Sequence, residues 1–179
     1  MKRLSVFLAP IFLLSCATTP APLPPQAPVC PSLAVCFTPP AGCTEVIVKE
    51  LDRAKATILV QAYSFTSAPI AKALVAAHER GVKVEIILDK SHLTAQYTSA
   101  PFVAKAGIPV KIDFAHGKAH NKIFIIDADI VITGSFNLSW AAEKRNAENV
   151  LIIKDKALAE KYIKNWRDHA GHSEVYMGR

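Results

Sequence analysis

From residue 33 onward, two apolar rhythms alternate along the chain. Short apolar runs at 33–37, 57–63, 82–88, 110–113, 122–127, 130–133 and 150–153 predict strands. The run at 82–88 is nearly continuous, as in a parallel strand covered on both faces. Between these runs, apolar positions three and four apart predict helices. One covers 44–56, capped by Thr44, with Ile47, Val48, Leu51 and Ala54 on one face. A second covers 67–80, with Pro69 early in its first turn, Ile70, Leu74 and Ala77 inward, and Gly81 as its stop. Two more cover 95–106, closed by Gly107, and 156–169. Asp127, Ala128 and Asp129 make a tight corner between two strands. There is no internal repeat. The alternation predicts one α/β domain, a mixed β-sheet flanked by helices on both faces. Ligands of such sheets collect where strands end, so polar residues there are the candidates for chemistry.

The first forty residues follow neither rhythm. Residues 4–44 contain no Lys, Arg, Asp or Glu, and nine of the twelve prolines fall between Pro10 and Pro40. Lys2 and Arg3 precede an apolar run over 4–14, the layout of a signal peptide. That run is about half of the roughly 20 residues that a membrane span requires. The ending Leu13-Leu14-Ser15-Cys16 resembles the lipobox of bacterial lipoproteins, whose cysteine becomes the acylated first residue. Cys16 is therefore expected to carry a lipid anchor, and Ala17 after it resembles outer-membrane sorting. The expected organisation is a signal peptide at 1–16, a Pro/Ala-rich tether at 17–32 and a catalytic domain at 33–179. This places the chain at the bacterial envelope, membrane-anchored and facing the periplasm.

Composition adds little to this picture. The 179 residues are 51% apolar and 20% charged, which excludes a disordered polymer. The 21 Lys and Arg against 15 Asp and Glu give +6, and removing residues 1–16 takes away two bases, leaving 19 − 15 = +4. Such mild basicity suits a polyanionic partner without requiring one. Beyond Cys16, the cysteines are Cys30, Cys36 and Cys43. An exported chain meets an oxidising compartment, and Cys36 and Cys43 flank a short turn, so that pair is the expected disulfide. A zinc knuckle is the other reading of close cysteines, but C-x5-C-x6-C lacks the usual C-x2-C spacing.

The segment from Gly117 to Asn149 carries the chemistry. His120, Lys122 and Asp127 form H-x-K-x4-D, followed by Gly134-Ser135-Phe136-Asn137 and by Glu148 eleven residues after Asn137. Three fixed residues recur by chance, whereas the whole set at these offsets does not. It resembles the signature of the phospholipase D superfamily, the phosphodiesterases named for their HKD motif. The resemblance extends over 33–175, includes the segment Gln61-Ala62-Tyr63-Ser64-Phe65, and favours the small single-motif bacterial endonucleases that work without metal.

The residues make chemical sense in their own right. On a strand, His120 and Lys122 project from one face, so both reach one phosphate. An imidazole attacks phosphorus through a neutral ring nitrogen, which requires an acceptor to hold the other nitrogen as N–H. The family resemblance implies Glu148 in that role. Lys122 supplies a fixed cation, and Ser135 and Asn137 supply donors to the nonbridging oxygens. Asp127 is counted with the motif, but its five-residue offset from Lys122 sends it to the other strand face, where a structural part is at least as reasonable. A histidine engaged as nucleophile cannot also protonate the leaving oxygen from the opposite side. One motif per chain therefore implies a homodimer that joins two His120 rings across a two-fold axis, dimerising through the active-site face. No carboxylate cluster accompanies the set, so no metal or other cofactor is expected.

Further residues are weaker candidates for substrate contact. Gln61, Tyr63 and Ser64 end a strand and are weighed as cleft lining. His116 and Lys118 occupy the loop before the motif, where solvation is the plainer reading. Trp140 could stack on a base, though interface or core packing is favoured. Asp89 and Lys90 suit capping and salt bridging, His169 and His172 look solvated, and His78 and His92 have no visible partners. The expected activity is nonspecific cleavage of DNA, with RNA as a further substrate, through a phosphohistidine. The alternatives are a phospholipase D acting on phospholipid such as cardiolipin, and a non-catalytic lipoprotein that binds nucleic acid.

Overall fold

A computed structural model describes residues 32–40 and 42–178. The signal peptide, nearly all of the tether, Cys16 and Cys30 lie outside those residues. Among the described residues, eight strands make one sheet: β1 (Ser32–Thr38), β2 (Thr57–Ala62), β3 (Lys83–Asp89), β4 (Val110–Asp113), β5 (Lys122–Ile126), β6 (Ile130–Gly134), β7 (Glu148–Lys154) and β8 (Glu174–Val175). Their order is β1-β7-β6-β5-β2-β3-β4-β8. Five α-helices of the described residues, α1 (Cys43–Arg53), α2 (Ala68–Glu79), α3 (Ala100–Lys105), α4 (Trp140–Lys144) and α5 (Lys156–His172), flank it. β2, β3 and β4 are parallel, and the other pairings are antiparallel. Strand parity divides the core. Ile58, Val60, Val84, Ile86, Phe124, Ile126 and Ile132 pack with α1, α2 and α3, while Ile87, Ile123, Ile125 and Val131 pack with Ala159 and Trp166 of α5. Helices therefore cover both faces of a mixed sheet.

Several boundaries differ from the sequence expectation for identifiable reasons. Thr44 does not cap α1; the N-cap is Gly42, and the Glu143 carboxylate accepts the backbone N–H of Gly42 at 2.6 Å and of Thr44 at 2.9 Å. A carboxylate 99 residues away from Thr44 does what a cap side chain would do. The helix expected over 95–106 is only α3, because Pro101 suits a first turn and the residues before it make a 3-10 turn at Lys90–Leu93 and a loop. α4 and β8, too short for periodicity to reveal, were not expected. The corner after β5 has Asp127 at φ 53° and Ala128 at φ 51°, the paired positive values of a twist-matched hairpin turn. Cys36 and Cys43 are disulfide-bonded with a Cα–Cα distance of 5.6 Å, the pairing their spacing suggested.

Candidate active site

The C-terminal ends of β2, β3 and β4 and the start of β5 lie at one edge of the sheet, where Lys122 pairs with Ala62, Ala62 with Leu88 and Leu88 with Ile112. His120 stands just before β5, and its loop is fastened from both sides. The Asp89 carboxylate accepts the Ala119 N–H at 2.7 Å and the Ser91 N–H at 2.9 Å. Burial works to raise the Asp89 pKa, but these bonds outweigh it and hold the carboxyl below its ordinary value. Lys90 Nζ donates to the His116 carbonyl at 2.9 Å, and the Tyr63 N–H donates to the Asn121 carbonyl at 2.9 Å. Asp89 and Lys90 thus position the loop that presents the histidine.

The His120 side chain is exposed, whereas Lys122 is only 8% exposed. Lys122 Nζ lies 3.0 Å from His120 Nδ1 and donates to the His120 carbonyl at 2.6 Å. An ammonium only donates, so Nδ1 accepts here, and a neutral ring carries its proton on Nε2. Tyr63 packs against the imidazole with ring centroids 4.4 Å apart, and Lys122 Nζ sits 5.1 Å from the same tyrosine ring. Burial pushes the Lys122 pKa down, and the Glu148 carboxylate opposes that shift. His120 and Lys122 open onto a cleft of about 490 Å³ whose far wall is α5, including Lys161, Tyr162 and Asn165. Lys161 escaped the sequence reading because a lysine on an amphipathic helix looks solvated. A larger cavity of about 840 Å³ between α1, α2 and α4 contains none of the motif residues, so chemistry rather than size assigns the site.

The other expected site residues are distributed unevenly. Glu148 does not contact His120 within this chain; it accepts from Ser135 Oγ at 2.5 Å and from Asn146 Nδ2 at 2.9 Å. Ser135 and Asn137 lie beyond the end of β6, so they do not share a strand face. At that end Gly134 has φ 152°, and a Cβ there would sit 2.2 Å from the Asn149 carbonyl oxygen, which only glycine permits. Asn137 Oδ1 is buried without a hydrogen-bond partner. Asp127 sits at the opposite end of β5 from His120 and accepts the N–H groups of Lys55, Ala56 and Thr57 at 2.8–2.9 Å. It closes the entry to β2 and has no contact with the histidine.

Among the weaker candidates, Tyr63 alone touches the pair. Gln61 is fully buried on the α5 face with both amide atoms unpartnered, so it does not line the open cleft. The Ser64 carbonyl accepts the Leu138 N–H, joining two loops. Lys118 is exposed, and Trp140 is 59% exposed beneath Arg145 rather than packed in the core. His116 turns away from the cleft to Asp113, where the largely covered His169 and the still exposed His172 meet it. His92 also has partners, with Nδ1 2.6 Å from Thr98 Oγ1 and Nε2 3.0 Å from the Tyr63 carbonyl.

This arrangement can be compared with known proteins. A family model described as "Cardiolipin synthase, PLD-like domain" matches residues 47–169, which carry both His120 and Lys122. The chain belongs to the phospholipase D family. A phospholipase D of Rickettsia felis is 52% identical over 134 residues, spanning 75% of this chain and 67% of that protein. The Rickettsia typhi phospholipase D is 48% identical, spanning 82% and 72% respectively. The crystal structure of Nuc from Salmonella typhimurium, a phospholipase D family member, superimposes with a TM-score of 0.79 at 38% identity, covering 82% of this chain and 98% of that one. NucT from Helicobacter pylori shares the fold with a TM-score of 0.75 at 22% identity, over 82% and 99% of the two chains. The protein is a phosphodiesterase of the phospholipase D superfamily.

Proposed function

We propose that this phospholipase D family member is a metal-independent, nonspecific endonuclease that cleaves DNA, and RNA as well, as a homodimer. The observation that carries this reading is the exposed His120 ring with Lys122 Nζ 3.0 Å from its Nδ1, facing a cleft walled by Lys161. One ammonium beside the imidazole and a second across the cleft suit the phosphodiester of a polyanion, and contacts to phosphate carry no base information.

Two copies of His120 divide the reaction between them. One ring attacks phosphorus through a neutral nitrogen, forming the phosphorus–nitrogen bond while the bond to the leaving oxygen breaks. The second ring, protonated on both nitrogens, donates its Nε2 proton to the departing alkoxide and, left neutral, then removes one from the water that cleaves the phosphohistidine. The acid, as an imidazolium, has no nitrogen free to accept from Lys122, so in that role its Nδ1 leaves the ammonium. For the nucleophile, Nδ1 must instead meet an acceptor, and Glu148, near enough to Lys122 to raise its pKa, is the available carboxylate. Ser135 and Asn137 serve the nonbridging oxygens, and Cys16 anchors the enzyme to the outer membrane, facing the periplasm.

A second reading, hydrolysis of phospholipid, is favoured by the names of relatives. A dog mitochondrial cardiolipin hydrolase is 30% identical over 138 residues, and the Rickettsia relatives are named phospholipase D. The test incubates the purified protein with plasmid, single-stranded DNA, RNA, and vesicles of phosphatidylcholine or cardiolipin, all in EDTA, beside His120→Ala. Nucleic acid should be cut, and His120→Ala should slow cutting by at least roughly 10³-fold. Headgroup release from vesicles with plasmid left intact would replace the nuclease by the lipase, and unchanged cutting by His120→Ala would remove His120 as nucleophile.

A further inference from the structure

We infer that Asp113, His116, His169 and His172 form a structural binding site for zinc or a similar late first-row divalent cation, separate from the reactive pair. Asp113 ends β4, His116 follows three residues later, and His169 and His172 lie three apart on the last turn of α5. The pattern is therefore two ligand pairs, D-x2-H and H-x2-H, brought together from distant segments. The carboxylate is completely buried, His169 is 13% exposed at its side chain, and all four potential ligand atoms lie within 4.8 Å of one another.

The geometry converges three imidazole nitrogens from two distant segments on one carboxylate. Asp113 Oδ2 faces His169 Nδ1 at 2.8 Å, His116 Nδ1 at 3.0 Å and His172 Nε2 at 3.3 Å. His116 Nδ1 also lies 3.2 Å from Oδ1, so the whole carboxylate faces three imidazoles and the Ala115 N–H. Without a cation, all three nitrogens facing the acid would have to carry protons. With one, the three imidazoles turn lone pairs inward and remain neutral. A tetrahedral zinc with ligands at about 2.0–2.1 Å has ligand–ligand edges of about 3.3 Å, close to the three nitrogen–oxygen separations. The remaining nitrogen–nitrogen edges close by rotation of the half-exposed His116 and His172 rings. Asp113 Oδ1 accepts the Ala115 N–H at 3.0 Å, which fixes the carboxylate in the way outer-shell bonds orient a ligand.

The donor set selects the ion and its role. Three imidazoles and one carboxylate suit zinc, cobalt or nickel, whereas calcium and magnesium require oxygen cages. Four protein ligands close the coordination sphere and leave no position for substrate, as in structural sites. The row from Lys122 to Ile112 spans three strand spacings, so Asp113 lies roughly 14 Å from the reactive pair. The ion would clasp β4, the loop leading to His120, and the end of α5, and the expectation that this chain binds no metal is set aside for this cluster alone.

The test strips the purified full chain with EDTA and titrates zinc by calorimetry and cobalt by visible absorption. One ion per chain is expected, with the intense bands of tetrahedral cobalt, no thiolate charge-transfer band, and a thermal midpoint several degrees higher at zinc about 100-fold above its Kd. The thiolate band would reveal Cys16 or Cys30 as the ligand and overturn the assignment. His169→Ala should weaken binding by at least roughly 100-fold, beyond the effect typical of an outer-shell change. His116→Gln, on an exposed loop, should do the same with the circular dichroism of the native fold unchanged. No calorimetric binding by the stripped chain, or undiminished binding by both variants, would overturn the site. These readouts are independent of turnover, so they stand or fall apart from the nuclease reading.

Discussion

At the residue scale, the contact between His120 and Lys122 was legible because spacing encodes it. Two residues apart, with Lys122 at the start of a strand, they are near neighbours, and the bonds from Asp89, Lys90 and Tyr63 hold the loop in which they meet. Burial lowers the Lys122 pKa, so its ammonium is lost at a lower pH than that of an ordinary lysine, and the alkaline limb of kcat/KM should begin correspondingly early. Glu148 opposes the shift, so Glu148→Gln should move that limb to still lower pH; an unmoved limb in a pH-rate profile would detach Glu148 from Lys122. Gly134→Ala places a Cβ against the Asn149 carbonyl in a backbone region suited to glycine, and urea denaturation should register a loss of about 3 kcal/mol. What spacing could not supply was the partner of Glu148. Its hydrogen bond to Ser135 depends on the chain leaving the sheet at Gly134, which no periodicity reports.

Elements were legible where the apolar rhythm is long, and illegible where a single distant side chain decides an end. Glu143 replaces a cap on α1, and Asp127 gathers three N–H groups at the entry to β2. For both carboxyls burial acts to raise the pKa, and the backbone N–H groups outweigh it, so the folded value lies below the ordinary one. The stabilisation is therefore fully present above the unfolded carboxyl pKa, about 4, and is lost as pH falls through the depressed folded value. Asp127→Asn and Glu143→Gln should each cost about 2 kcal/mol at pH 7 by chemical denaturation. The gap between each variant and the wild type should shrink as pH falls below about 4; a constant gap from pH 7 to pH 3 would exclude the ionised carboxylate as its source.

At the scale of the whole molecule, the mixed sheet with helices on both faces was predictable from alternating rhythms, while the meeting of Asp113 with α5 was not, since only the packed fold brings residues 113 and 169 together. The proposed two-fold pairing of His120 rings is a property of two chains. Sedimentation should give a dimer, and mixing wild type with excess His120→Ala should suppress turnover below simple dilution, because mixed dimers lack one ring; a fully active monomer would remove the shared mechanism. The sheet is also lopsided in its support. Four helices, α1 to α4, lean on one face, while among the described helices α5 alone covers the smaller cluster of Ile87, Ile123, Ile125 and Val131, fastened by Trp166 Nε1 donating to the Val60 carbonyl at 2.9 Å. Amide protons of α5 are accordingly those expected to trade with deuterated water through a partial opening that leaves the opposite layer shut. Such breathing exposes the buried Gln61 amide and dismantles the Lys161 wall, so an oligonucleotide held between that wall and His120 should slow the exchange of this one helix.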